Sequence, residues 1–168
     1  DYQMSALLMA IVFRGLDGGA ILHAEMPGGR STEVKVISRG DGPPNHLYTD
    51  QQLATEGLTY ITTRDGTTLS ATVWLPGPAE AGPYPTVVEY SGYSPSDPAS
   101  QGFPQLLTAL GYAYVGVNMR GTGCSGGSYR FFEYSQSADG YDVIETVAAQ
   151  PWVLDHRVGM VGVSYPGI

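Results

Sequence analysis

The chain has 168 residues, 42% hydrophobic and 14% charged, enough to bury a core as one ordinary domain or one and a half small ones. Sixteen acidic against eight basic residues give a net charge of −8 with no basic run, which disfavours a nucleic-acid partner. A single cysteine, Cys124, excludes an internal disulfide and any multi-thiol metal site, and is compatible with a cytoplasmic location.

The apolar run Met4–Phe13 is too short to span a membrane, so no membrane partner is expected. It follows Asp1 without a basic flank or a small-residue cleavage site, and so makes a poor signal peptide. The first residue is Asp and not Met, so the expectation is of a longer protein whose leader, if any, cannot be read. Gly and Pro together make about a fifth of the chain. They fall in discrete clusters that predict many short turns.

Three β-leaning runs open the chain: Leu7–Arg14, Ala20–Glu25 and Ser31–Ser38, with a helix over Met4–Phe13 as the alternative for the first. Residues 1–39 are therefore expected to be a β-rich segment, as at the end of a small β module, and residues 40–56 a linker that starts with the stiff Gly40–His46. From Gly57 the pattern sharpens. Leu58–Thr63 and Thr68–Leu75 alternate about Arg64-Asp-Gly-Thr67, a strong hairpin signal. Thr86–Tyr90 reads as a buried strand, Pro98–Leu110 as a helix stopped by Gly111, and Tyr112–Met119 as a second buried strand. A glycine-rich loop, Gly121–Gly127, precedes a helix over Ser135–Ala149 and a third buried strand over Arg157–Val163. A hairpin followed by strand–helix–strand–helix–strand predicts a mixed sheet wrapped by helices.

The third strand runs into Gly162-Val-Ser164-Tyr-Pro-Gly167, a G-x-S-x-x-G variant of the G-x-S-x-G turn in which Pro166 stands where the second glycine would be. In a strand-to-helix turn this tight, the serine is strained and its hydroxyl projects. The Tyr165 N–H, at the nascent helix N-terminus, would then point at a developing oxyanion. Ser164 is the expected nucleophile.

Across 57–168 the sequence resembles the cocaine esterase / X-prolyl dipeptidyl-peptidase family of α/β-hydrolases, which also includes α-amino-acid ester hydrolases and cephalosporin acylases. The resemblance is carried by Thr63–Leu69 with Leu75-Pro76, Pro85–Tyr93, Arg120–Gly127, Gly140–Asp142, Gln150–Trp152 and Val158–Tyr165. It implies an α/β-hydrolase fold, of which 57–168 would form the N-terminal half. It also implies an oxyanion hole in which a tyrosine hydroxyl after the first parallel strand joins the N–H following the nucleophile. Tyr93 occupies that place, at the carboxyl end of a buried strand where ligands of α/β sheets collect; Tyr90 is the competing candidate.

Gly121-x-Gly123-x-x-Gly126 matches a dinucleotide fingerprint, but no helix opens on it and no acidic residue ends a following strand, so no cofactor is expected. Arg120 beside it is expected to be buried and paired. His23, His46 and His156 are poor candidates for the base; His156 lies at the far end of the strand that delivers Ser164. Asp139 and Asp142 precede the serine and read as helix residues. In α/β-hydrolases the acid and the histidine follow the nucleophile, so both are expected beyond Ile168. The expectation is a serine hydrolase of small esters or amides, peptides included, with no metal; the alternatives are an acyltransferase or a non-catalytic binding protein on the same scaffold. Oligomeric state is not legible.

Overall fold

The computed structural model describes residues 21–26, 30–35, 46–100 and 102–164. They fall in two units. The first holds an antiparallel pair, β1 (Ile21–Met26) and β2 (Arg30–Lys35), in which Ile21 faces Lys35 and Met26 faces Arg30. These are two of the three expected runs; Leu7–Arg14 lies outside the described residues.

The second unit is a five-stranded mixed sheet in the order β3-β4-β6-β5-β7. Strands β3 (Leu58–Thr62) and β4 (Thr68–Trp74) form the expected hairpin. Its turn is closed by Gly66 N–H to Thr63 O at 2.9 Å and Thr63 N–H to Thr67 O at 2.9 Å. The Asp65 carboxylate accepts the Thr63 hydroxyl and the Thr67 N–H, as an Asx turn does. Strand β4 pairs antiparallel with β6 (Ala113–Asn118), which pairs parallel with β5 (Tyr84–Ser91). Every residue of β6 is buried, as its near-continuous apolar run requires of a central strand.

Helix α1 (His46–Thr49) precedes the sheet, α2 (Gly102–Ala109) joins β5 to β6, and α3 (Tyr134–Ala148) joins β6 to β7. Helix α2 ends in a Schellman motif: Gly111, at φ +86°, donates to Thr108 O, and Tyr112 donates to Leu107 O. Helix α3 lays Val143 and Val147 against Val88, Val115, Val117 and Ile61 in the core. Thr86, Val88 and Tyr90 alternate onto that face of β5; Glu89 turns to the other, where it accepts the Tyr114 hydroxyl at 2.7 Å.

Two expectations are corrected. Residues 46–56 are not linker. Tyr48 is buried and donates to Asp142 at 2.8 Å, Leu53 is in the core with its N–H on Gln150 Oε1, and Gln51 brackets Thr62. Strand β7 spans Val153–Met160, not Arg157–Val163. It meets β5 first at Tyr84–Val153 and again at Thr86–Val158, so residues 154–157 bulge out opposite Pro85. Pro85 has no N–H to offer the ladder, which is where the pairing gives way. Asp155 and His156 take left-handed φ values of 53° and 52° within that bulge.

Candidate active site

Beyond the bulge, β7 runs regularly beside β5: Val158 faces Thr86, Gly159 faces Val87 and Met160 faces Val88, with Val161 N–H to Val88 O at 3.0 Å. Because the strands are parallel, both leave the sheet at its carboxyl edge. The segment after β5 carries Tyr93, and the segment after β7 carries Ser164.

Ser164 is exposed and has φ +65°. A non-glycine residue held there stores backbone strain, the conformation expected of a serine at a sharp turn. Tyr165 lies outside the described residues.

Tyr93 is 58% exposed. Its N–H donates to Ser91 Oγ at 3.2 Å and its carbonyl accepts from Asn118 Nδ2 at 2.7 Å. It lines a cavity of about 440 Å³ with Gly92, Gly121, Thr122, Tyr129 and Phe131. Tyr90 is placed quite differently. It is buried against α3, its ring 3.3 Å from where a Cβ on Gly140 would be, and its hydroxyl donates to Gln136 O at 3.0 Å.

The glycine-rich loop forms the other wall of the cavity. It closes on itself through Gly121 N–H to Gly126 O, and is stitched to the hairpin by Gly126 N–H to Thr68 O, both 2.8 Å. The next helix, α3, starts only at Tyr134, so the amides used here do not form the helix-opening phosphate cradle of a dinucleotide site.

Behind the loop, two buried acids one turn apart on α3 anchor the hairpin turn. Arg120 is paired, as expected, but only partly buried: its guanidinium grips Asp139 by two 2.6 Å bonds and reaches Asp65 at 2.8 Å. Arg64 binds Asp142 through its guanidinium, at 2.7 Å from Nη2, and through its own N–H at 2.9 Å. The Asp139 carboxylate holds the Arg120 guanidinium protonated well above its usual range; burial pushes Asp139 up, against the pull of Arg120. Burial and the hydrogen bond to Asp142 push the Tyr48 phenol up. The Thr67 N–H and Thr63 hydroxyl hold the Asp65 carboxyl well below its ordinary value. These acids serve ion pairs. His156 sits in the β7 bulge, towards the start of the strand and away from Ser164, with Nδ1 2.8 Å from the carbonyl of Ala148, the last residue of α3, and His46 opens α1. Among the described residues no cluster of potential metal ligands occurs, and no helix is long and apolar enough to cross a membrane.

The family model of the X-Pro dipeptidyl-peptidases (S15 family) matches residues 65–168, from the hairpin turn through the serine turn. The chain belongs to this S15 family. Proteins of Mycobacterium bovis and Mycobacterium tuberculosis, each provisionally named a serine esterase, are 30% identical to it over 129 residues. That match covers 64% of this chain, and the chain spans 20% of the length of those relatives. A CocE/NonD family hydrolase from Staphylococcus aureus superposes with a TM-score of 0.57 at 20% identity, covering 92% of this chain and 28% of that one. An α-amino acid ester hydrolase superposes at 0.53 and 22% identity, covering 71% and 24%. The S15 chain therefore has the α/β-hydrolase fold, and its described sheet corresponds to the N-terminal half of one. Asn118, a buried amide at the end of an apolar strand, escaped the sequence reading. Its signal was a lone polar residue closing the run Tyr112–Met119 at the sheet's carboxyl edge.

Proposed function

We propose that the intact protein is a serine hydrolase that cleaves small esters or amides, peptides included, through an acyl-enzyme on Ser164. The observation that carries this reading is the positive φ of Ser164 at the end of a parallel strand, next to the strand that leads to Tyr93. Ser164 Oγ attacks the substrate carbonyl and forms a tetrahedral oxyanion. The Tyr165 N–H and the Tyr93 hydroxyl donate to that oxygen, where charge develops in the transition state. A histidine takes the serine proton and returns it to the leaving group; water then attacks the acyl-enzyme by the reverse proton path. The histidine and its acid follow Ser164 in chain order, outside these 168 residues. The serine-esterase names of the mycobacterial relatives and the peptidase name of the family support acyl transfer as the chemistry.

Treating the intact protein with a fluorophosphonate and mapping the adduct by mass spectrometry tests this reading. The adduct is expected on Ser164, with loss of ester hydrolysis in Ser164→Ala. An adduct on another residue, or full activity in that variant, would overturn it.

A further inference from the structure

Asn118 ends the central strand and is 1% exposed. A side-chain amide can accept two hydrogen bonds and donate two, and all four are made. Oδ1 accepts the Ser96 N–H at 3.1 Å and the Ser96 hydroxyl at 2.7 Å. Nδ2 donates to the Tyr93 carbonyl at 2.7 Å and to Thr122 Oγ1 at 3.0 Å. The partners fix which end is which, since a backbone N–H requires an oxygen and a carbonyl requires the NH₂. Thr122 spends its own proton on Met119 O at 2.8 Å, which leaves its oxygen free to accept.

Those two acceptors belong to opposite walls of the cavity. Tyr93 stands on the segment after β5, and Thr122 on the glycine-rich loop. One nitrogen therefore ties both walls to the rigid centre of the sheet. The amide is itself locked from behind by hydroxyls: Ser70 to Ser96 at 2.9 Å, Thr72 to the Ser96 carbonyl at 2.6 Å, and Ser125 to the Asn118 carbonyl at 2.8 Å. The backbone is shaped for this approach. A Cβ on Gly123 would fall 2.7 Å from Asn118 Nδ2, and one on Gly116 would fall 2.0 Å from Pro95 O.

We infer that Asn118 is a positioning residue: by holding the Tyr93 carbonyl and Thr122 at once, it aims the Tyr93 hydroxyl and sets the width of the cleft. This rests on Tyr93 being the oxyanion donor. A buried amide that merely satisfied loop polar groups would stabilise the fold equally, whatever side chain stood at position 93. A positioning amide acts through that side chain, and the two roles separate in a double-mutant cycle.

The measurement is the single-turnover acylation rate of the intact protein with p-nitrophenyl acetate, for Asn118→Ala, Tyr93→Phe and the double variant. Asn118→Ala is expected to slow acylation about 10²-fold, the effect of a small misplacement in a preorganised site. In the Tyr93→Phe background the same change should cost less than about threefold, because the group it aims is gone. Equal losses in both backgrounds would overturn the inference and leave the Tyr93 reading intact. No effect of Tyr93→Phe alone would overturn the reading of Tyr93 and this inference with it. Should Asn118→Ala not fold, Ser96→Ala decides: it loosens the amide from the side away from the cavity and keeps Asn118. It is expected to slow acylation about fivefold, as for loss of one neutral hydrogen bond, and to lose that effect in the Tyr93→Phe background. An undiminished effect there overturns the inference.

Discussion

Val88 on β5 and Met160 on β7 stand opposite each other on parallel neighbours, and four residues beyond each come Gly92 and Ser164. Equal counts from a shared register carry both segments off the same edge of the sheet. The tyrosine next to Gly92 is Tyr93, the oxyanion donor of the proposed mechanism, whereas Tyr90 is buried with its hydroxyl on Gln136 O. Tyr93→Phe is expected to lower kcat by about 10²-fold or more, the effect of removing one oxyanion donor. Tyr90→Phe should leave kcat within about twofold and cost about 1 kcal/mol of stability, through the lost bond to Gln136 O. Steady-state kinetics and urea titration of the same two proteins distinguish them.

Arg64→Met tests the ion pair that ties the hairpin turn to α3. Asp142 has no exposed side-chain surface, so removing the guanidinium leaves a buried carboxylate short of its counter-charge. The cost should be about 3 kcal/mol, at the low end for a broken buried pair because the Tyr48 hydroxyl and the position-64 N–H still reach the carboxylate. A lower urea midpoint at unchanged slope is the expected reading.

Acid should act through Asp65. Its folded-state carboxyl is held below the ordinary value of 3.8, chiefly by the Thr67 N–H and the Thr63 hydroxyl. A depressed carboxyl contributes stability that is fully present above the unfolded value and is lost as pH falls through the folded one. Thermal melts of Asp65→Asn and the parent should therefore differ by a constant amount above about pH 5, and the difference should shrink progressively as pH falls below about 4 toward the depressed folded value. A gap that shows no narrowing between about pH 5 and about pH 2 would contradict this assignment.

Gly116→Ala should be costly, because the new methyl would meet Pro95 O at 2.0 Å in the most buried strand. Overpacking of this kind costs about 1–3 kcal/mol or more, and it displaces the segment that carries Tyr93. Gly102→Ala, where nothing lies within 4 Å of the added carbon, is the matched control and should change stability by no more than about 0.5 kcal/mol. Differential scanning calorimetry of the pair checks both.

Much of this was legible from local pattern. The Asp65-Gly66 turn, the apolar runs of β5 and β6 and the helical spacing of α3 each express a single strong rule, and those elements stand within a few residues of where the pattern puts them. What failed depended on distant partners. Tyr48 and Leu53 look like stray apolar residues in a polar stretch until Asp142 and Gln150, more than 90 positions away, are brought to them. The start of β7 was misplaced because the bulge answers a proline on another strand. Ser164 could be found because its motif is contiguous. Asn118 could not, because the three segments its amide joins meet only in the folded sheet.

The strand order bears on how the chain folds as it is synthesised. Strand β5 precedes β6 in sequence, yet β6 lies between β5 and the β3–β4 hairpin. Within this sheet, a nascent chain that has emerged as far as Ser91 can pair β3 with β4 and nothing else. Its Val87-Val88 stretch has no ladder to join until residue 118 has cleared the ribosome. A pause in translation over 92–118 would prolong that interval, during which an apolar strand is open to aggregation or to a chaperone.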